Sequence, residues 1–273
     1  MSAYALQQNK GLNLLEDKVA VIYGAGGGVG GAVAKVFARE GASVFLAGRT
    51  ESTLGIVAKE ISKAGSHAEI SKVDALDPKS VEAHLYEIKS KKERIDVSFN
   101  LISTSVAIGT RLNELSDERF QNATFSRVRS NFITMTAAAR LMEKQGRGVI
   151  LGLTAPNARL PRSNMGGFAI GGAAIESLSR QLALEAGPFG VRVICLRTGG
   201  TPDNPVLQEV FTHLAKLRGT TSEAIAREEA QVTALKRAPT LPEVANAAVL
   251  MASDYASAIT ATTINASCGE LVD

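Results

Sequence analysis

A short apolar run, Val19-Ala20-Val21-Ile22, stops at Tyr23 and opens into Gly24-Ala25-Gly26-Gly27-Gly28-Val29-Gly30. No other feature constrains the fold as much. The apolar run has the length and composition of a strand buried on both faces. From Val29 to Glu40 the apolar residues recur at helical spacing, with Val29, Val33, Val36 and Phe37 on one face. A strand, a glycine turn and a helix thus follow one another directly. Glycine permits positive φ and close backbone approach, and the helix start offers unpaired N–H groups and partial positive charge. That arrangement cradles a pyrophosphate. Gly24, Gly28, Val29 and Gly30 are the loop residues expected to meet it.

The alternation continues along the chain. Strands are expected at Lys18–Tyr23, Ser43–Ala47, His67–Val73, Ile95–Ser103, Gly148–Leu153, Arg192–Leu196 and Thr262–Ala266. Helices are expected at Thr53–Ala64, Pro78–Lys92, Ser116–Glu143 with an interruption, about Gly167–Gly187, and Pro242–Ser253. Strands alternating with helices of this length imply an α/β fold with a doubly wound parallel sheet, Rossmann-like, in three αβα layers. Residues 1–16 read as a polar arm, 17–273 as a single domain, and 203–237 as a lid-like segment within it.

The chain has 273 residues, 45% of them hydrophobic, enough for one large core. A net charge of +3 with mixed signs gives no drive toward nucleic acid. No apolar segment approaches the ~20 residues that span a bilayer, so no membrane partner is expected. Cys195 and Cys268 sit in strand-like contexts and read as reduced thiols. The start of the chain lacks a basic region followed by an apolar run, so a cytoplasmic location is expected. No metal site is expected.

The end of the second strand bears on the choice of nucleotide. A site for NAD places a carboxylate there to bind the ribose 2′-hydroxyl. Here the residues are Gly48, Arg49 and Thr50. A guanidinium suits the 2′-phosphate of NADP, so NADP(H) is favoured over NAD(H). Asp74, after the third strand, is placed to accept from the adenine amino group. Asp77 reads as a helix cap before Pro78.

With these features the chain resembles the short-chain dehydrogenase/reductase superfamily, in its single-domain branch, from about Leu14 to Gly269. The family's Thr-Gly-x-x-x-Gly-x-Gly appears as Tyr23 to Gly30, with all three glycines kept. Its Asn-Asn-Ala-Gly appears as Asn100-Leu101-Ile102-Ser103, which the resemblance makes Asn100 a cofactor-side residue. Pro242-Glu243-Val244-Ala245 and Ser253 to Thr260 are similar to the family's last helix and its exit. The resemblance implies an oxidoreductase that moves hydride to or from a small-molecule carbonyl, alcohol or activated alkene. It also implies a homodimer or homotetramer.

The catalytic motif departs from the family. Between Lys144 and Lys216 there is no lysine and no tyrosine. The family's serine after the fifth strand falls on Ala155, its tyrosine on Phe168 and its lysine on Gly172. The Pro-Gly of the nicotinamide loop becomes Thr198-Gly199. In the family, tyrosine protonates the carbonyl oxygen, and lysine lowers the tyrosine's pKa and holds the nicotinamide ribose. Phenylalanine has no proton to give, and a general acid is worth about 10²–10⁴-fold.

Two polar groups remain as catalytic candidates. Asn131 matches the family's helix asparagine, with bonding to backbone as its alternative role. Thr154 carries a hydroxyl beside Ala155, but strand alternation points it to the other face. In the lid-like segment, Val206, Leu207, Val210, Phe211, Leu214 and Leu217 form an apolar helical face, which suits an apolar substrate or a packing contact. Three functions remain open: an oxidoreductase lacking the usual acid, a catalytically silent NADP-binding sensor or scaffold, and an enzyme whose nucleotide loop is vestigial.

Overall fold

The computed structural model describes residues 11–102 and 108–272. Seven strands form one parallel sheet: β1 (Val19–Tyr23), β2 (Ser43–Gly48), β3 (Ala68–Lys72), β4 (Val97–Asn100), β5 (Gly148–Thr154), β6 (Val191–Thr198) and β7 (Thr262–Ala266). Their order is β3-β2-β1-β4-β5-β6-β7. The winding direction reverses between β1 and β4, and ligands of such sheets bind beyond the carboxyl ends of the strands at that point.

The helices are α1 (Gly28–Arg39), α2 (Glu51–Lys63), α3 (Pro78–Lys92), α4 (Asp117–Gln145), α5 (Gly166–Ala186), α6 (Pro205–Arg218), α7 (Ser222–Gln231) and α8 (Leu241–Ala252). One core lies between the sheet and α1, α2 and α8, with Val33, Phe37, Leu54 and Val244 fully or nearly fully buried. A second lies between the sheet and α3, α4 and α5, around Leu85, Met135, Met142 and Leu182. The sandwich of helix, sheet and helix is the expected three-layer architecture. No helix of the described residues is long and apolar enough to cross a membrane.

Three boundaries differ from expectation. The end of the polar arm is packed: Leu15 is fully buried, and its N–H donates to the Glu40 carbonyl. The helix expected to break within 116–143 runs unbroken as α4. Its polar residues bond within the helix, since Ser130, Asn131 and Thr134 each donate to a carbonyl three or four residues earlier. Ser116 caps its start and Gly146, at φ 73°, turns the chain at its end. Finally, β4 stops at Asn100, and Ser103 lies outside the described residues. Both cysteines are free thiols.

Beneath the glycine loop, Tyr23 and His84 meet edge to face, ring centroids 6.2 Å apart. Neither His84 nitrogen, nor the Tyr23 hydroxyl, has a hydrogen-bond partner among the described residues. Burial above all lowers the His84 pKa from 6.5 to about 4, with Glu87 opposing and Lys91 adding slightly. The unfolded chain therefore binds a proton that the folded chain refuses between these values. Stability is complete above pH 6.5 and falls as the pH drops toward 4. Urea titrations of wild type and His84→Leu across this range are expected to diverge, with the wild type losing up to about 3 kcal/mol more than the variant. Parallel curves would contradict a buried neutral histidine.

Candidate active site

The glycine loop is held by backbone alone. The Gly24 N–H donates to the Ala47 carbonyl at 2.8 Å, and Gly24 has φ 77°. A Cβ there would also lie 2.7 Å from the Leu101 carbonyl carbon. A Cβ on Gly30 would collide with the Gly24 carbonyl oxygen. These two glycines let α1 start hard against the end of β1. Gly27 caps α1 without a side-chain hydrogen bond, and the first turn carries no acidic residue. Its N–H groups and positive end are thus free for an anion.

Two cavities flank the loop. The first, of about 600 Å³, is lined by Gly24, Gly26, Gly27, Arg49, Thr50 and Asp74. Arg49 is exposed, and no carboxylate accompanies it at the end of β2. Asp74 accepts from the Leu76 N–H at 3.0 Å through one oxygen. The second cavity, of about 300 Å³, is lined on one wall by Gly28, Val29 and Gly30. Gly27 and Ile102 line both cavities. Asn100 lines neither: it is buried, donates to Thr134 Oγ1 at 2.8 Å and accepts from the Ile102 N–H at 3.0 Å. It holds the chain where β4 exits toward the loop.

The second cavity contains the positions where the resemblance puts the chemistry. Ala155 and Phe168 line it. Gly172 lies one turn further along α5, where a Cβ would be 3.2 Å from the Ala158 Cβ. Ala158 ends a short 3-10 turn, Pro156–Ala158. The opposite wall is α6, through Val206, Leu207, Val210, Phe211 and Leu214. The apolar face of the lid-like segment is therefore present and covers the cavity, except for Leu217, which is exposed. Asn204 caps α6 and packs directly on Gly28, where any Cβ would meet its Oδ1.

The two candidate catalytic residues are both held by hydrogen bonds. Thr154 lines the cavity, and its buried hydroxyl donates to Glu176 Oε1 at 2.9 Å. Asn131 lines neither cavity; its amide donates to the Arg127 carbonyl at 3.0 Å within the unbroken helix, leaving its Oδ1 unpartnered among the described residues.

The polar side chain that α4 brings to the site is Arg127, one turn before Asn131. Its guanidinium lies 4.5 Å above the Phe168 ring centroid, and Nη2 donates to the Leu153 carbonyl at 3.0 Å. Sequence reasoning missed it, although Arg127, Ser130 and Thr134 fall on one helical face.

Behind the cavity, Arg197 and Glu176 form a buried two-point ion pair, with contacts of 3.0 and 2.9 Å. The same Glu176 fixes Thr154, so β5, β6 and α5 are joined by one carboxylate. At the cavity rim, Arg162 bridges Glu229 at 2.6 Å and Glu270 at 2.8 Å. Burial raises the Glu270 pKa, Arg162 opposes the rise and Glu229 adds to it.

The fold and loop define a Rossmann-like α/β protein. A family model described as enoyl-(acyl carrier protein) reductase matches residues 24–270. An uncharacterized oxidoreductase of Bacillus subtilis is 29% identical over 259 residues, covering 93% of this chain and 91% of that protein. The crystal structure of sorbitol-6-phosphate 2-dehydrogenase from Erwinia amylovora superposes with a TM-score of 0.86 at 25% identity, covering 93% of this chain and all of that one. A 3-ketoacyl-(acyl-carrier-protein) reductase from Brucella melitensis, solved with NADH, superposes at 0.82 with 24% identity, covering 94% of this chain and 100% of its own. The chain belongs to the short-chain dehydrogenase/reductase superfamily.

Removing one partner of a buried ion pair leaves an uncompensated charge, at a cost of roughly 3–5 kcal/mol. Arg197→Met is expected to lower unfolding stability by about 3 kcal/mol, read as a shift in urea midpoint at unchanged slope. An unshifted midpoint would mean that the pair does not hold the back wall.

Proposed function

We propose that the protein binds NADP(H) across the two joined cavities and acts as an oxidoreductase on a small molecule. Its reaction draws no proton from the usual tyrosine. One observation carries the reading: an open, correctly built nucleotide cradle adjoins Phe168 and Ala155, which stand where the family's proton donor and serine are expected. The residues fit the cofactor at the diphosphate end, because the bare N-terminus of α1 is an anion site and the Gly24–Gly30 approach leaves the backbone uncovered. Arg49, Thr50 and Asp74 line the adenosine side, and Arg49, directly after Gly48 at the end of β2, supports a 2′-phosphate.

A bound nicotinamide nucleotide supplies or accepts hydride. The chain's own residues hold the diphosphate at α1 and exclude water with Phe168 and the apolar face of α6. An activated alkene fits this site better than a simple ketone: hydride adds at its β-carbon, the electron pair is delocalised as an enolate that is a weaker base than an alkoxide, and the last proton can come from water rather than from a side chain. The enoyl reductase description of the matching family model supports that choice.

A second reading, a silent NADP-binding sensor or scaffold, draws support from Gly172, which has no side chain where the family's lysine is expected and where a Cβ would lie 3.2 Å from the Ala158 Cβ. A homodimer or homotetramer is supported by Phe125 and Phe132, both more than half exposed on α4.

Titration by cofactor fluorescence tests the nucleotide reading. NADPH is expected to bind at least about tenfold more tightly than NADH, the worth of one charge-assisted contact. Arg49→Ala is expected to bring the two within about twofold by weakening NADPH alone. Equal affinities in the wild type would overturn the NADP preference, and no binding of either would overturn the function.

A further inference from the structure

Arg127 is a cation without a counter-ion. The residue is 7% exposed, and its guanidinium is sandwiched between the Phe168 face and the end of β5. Nη1 is buried and has no hydrogen-bond partner among the described residues. The other charges of the region are committed elsewhere. Glu229 and Glu270 both pair with Arg162, and Glu176 pairs with Arg197. Cys195, the one group that registers electrostatically on Arg127, is a thiol whose pKa burial pushes up to about 12, so it brings no charge at neutral pH. Burial lowers the Arg127 pKa to about 10, which still leaves it protonated.

A buried charge without a partner is costly, and the aromatic face and one carbonyl offset only part of that cost. Arg127 lines a cavity whose α6 wall, Leu207, Val210, Phe211 and Leu214, is apolar and whose rim carries the already paired Arg162, Glu229 and Glu270. Apolar walls with a few placed polar groups are the usual composition of a small-ligand site, where the polar groups set orientation.

We propose that Arg127 anchors the carboxylate of a small apolar carboxylic acid. The acid's hydrocarbon part would lie against Leu207, Val210, Phe211 and Leu214, and its head against Nη1. The inference rests on the reading of this cavity as the substrate half of the nucleotide site. Ligand binding then supplies the missing counter-charge. A guanidinium is the fitting group, since its planar fork matches a carboxylate and it cannot lose its proton at neutral pH.

Cinnamate and its neutral isostere cinnamamide are suitable probes, titrated calorimetrically with and without saturating NADPH. Wild type is expected to bind cinnamate at least about tenfold more tightly than the amide, as for a hydrogen bond to a charged group. Arg127→Met is expected to abolish that preference while binding NADPH within about twofold of wild type. Arg127→Lys is expected to keep part of the preference, and it replaces Arg127→Met if the latter does not fold. The proposal is overturned if wild type binds acid and amide equally or binds neither. It is also overturned if the preference survives in both variants, or if Arg127→Met loses NADPH affinity with its acid preference intact, which would make Arg127 a nucleotide contact. Absent NADPH binding with an intact, Arg127-dependent acid preference would instead defeat the nucleotide reading alone.

Discussion

The approach of Gly30 to the carbonyl of Gly24 is the contact on which the rest of the site depends. Neither position has room for a Cβ, because one would strike the Gly24 oxygen and the other the Leu101 backbone. That closeness lets α1 begin directly at the end of β1, where the strand order reverses. The positive end of the helix then faces the gap between two cavities, with Gly27 bordering each. Everything that could bind at the carboxyl edge of the sheet is arranged around that helix start.

The proposed departure from the family's chemistry involves several elements together. Phe168, which the resemblance sets at the position of the acid on α5, is covered by Arg127 from α4. At Gly172, where the resemblance sets a lysine, an added Cβ would come within 3.2 Å of the Ala158 Cβ. Glu176, one turn on, is drawn into a buried pair with Arg197 and fixes the Thr154 hydroxyl. A site that had merely decayed would be expected to leave buried polar groups unpaired at random. Among the described residues most are matched, and Arg127 is the charged group at the cavity that keeps an unpartnered N–H. This pattern supports the proposal of a site for a different ligand beside the glycine loop.

Much of this was legible in the sequence, for a physical reason. Parallel strands buried on both faces are continuous apolar runs, and their helices repeat at 3.6 residues, so β1, α1 and the later alternation could be read directly. The apolar face of α6 was legible in the same way. The continuity of α4 was not, because Ser130, Asn131 and Thr134 look like breaks until their side chains are seen to bond one turn back. Leu15 gave no periodic signal because it is a single anchor in an irregular segment. Arg127 was hidden for a different reason. An arginine in a long helix is ordinarily solvent-facing, and only the crossing of α4 over α5 brings it onto Phe168.

The central proposal is that the chain binds a nicotinamide nucleotide at the glycine loop while lacking the family's usual proton donor for carbonyl reduction. Steady-state oxidation of NADPH with cyclohexanone, an unactivated ketone, tests it most directly, on protein first shown to bind NADPH. The account predicts no reduction above the uncatalysed background. Turnover within the ordinary enzymatic range of about 1–10³ s⁻¹ would contradict it, since it would require an acid that Phe168, Ala155 and Gly172 do not provide.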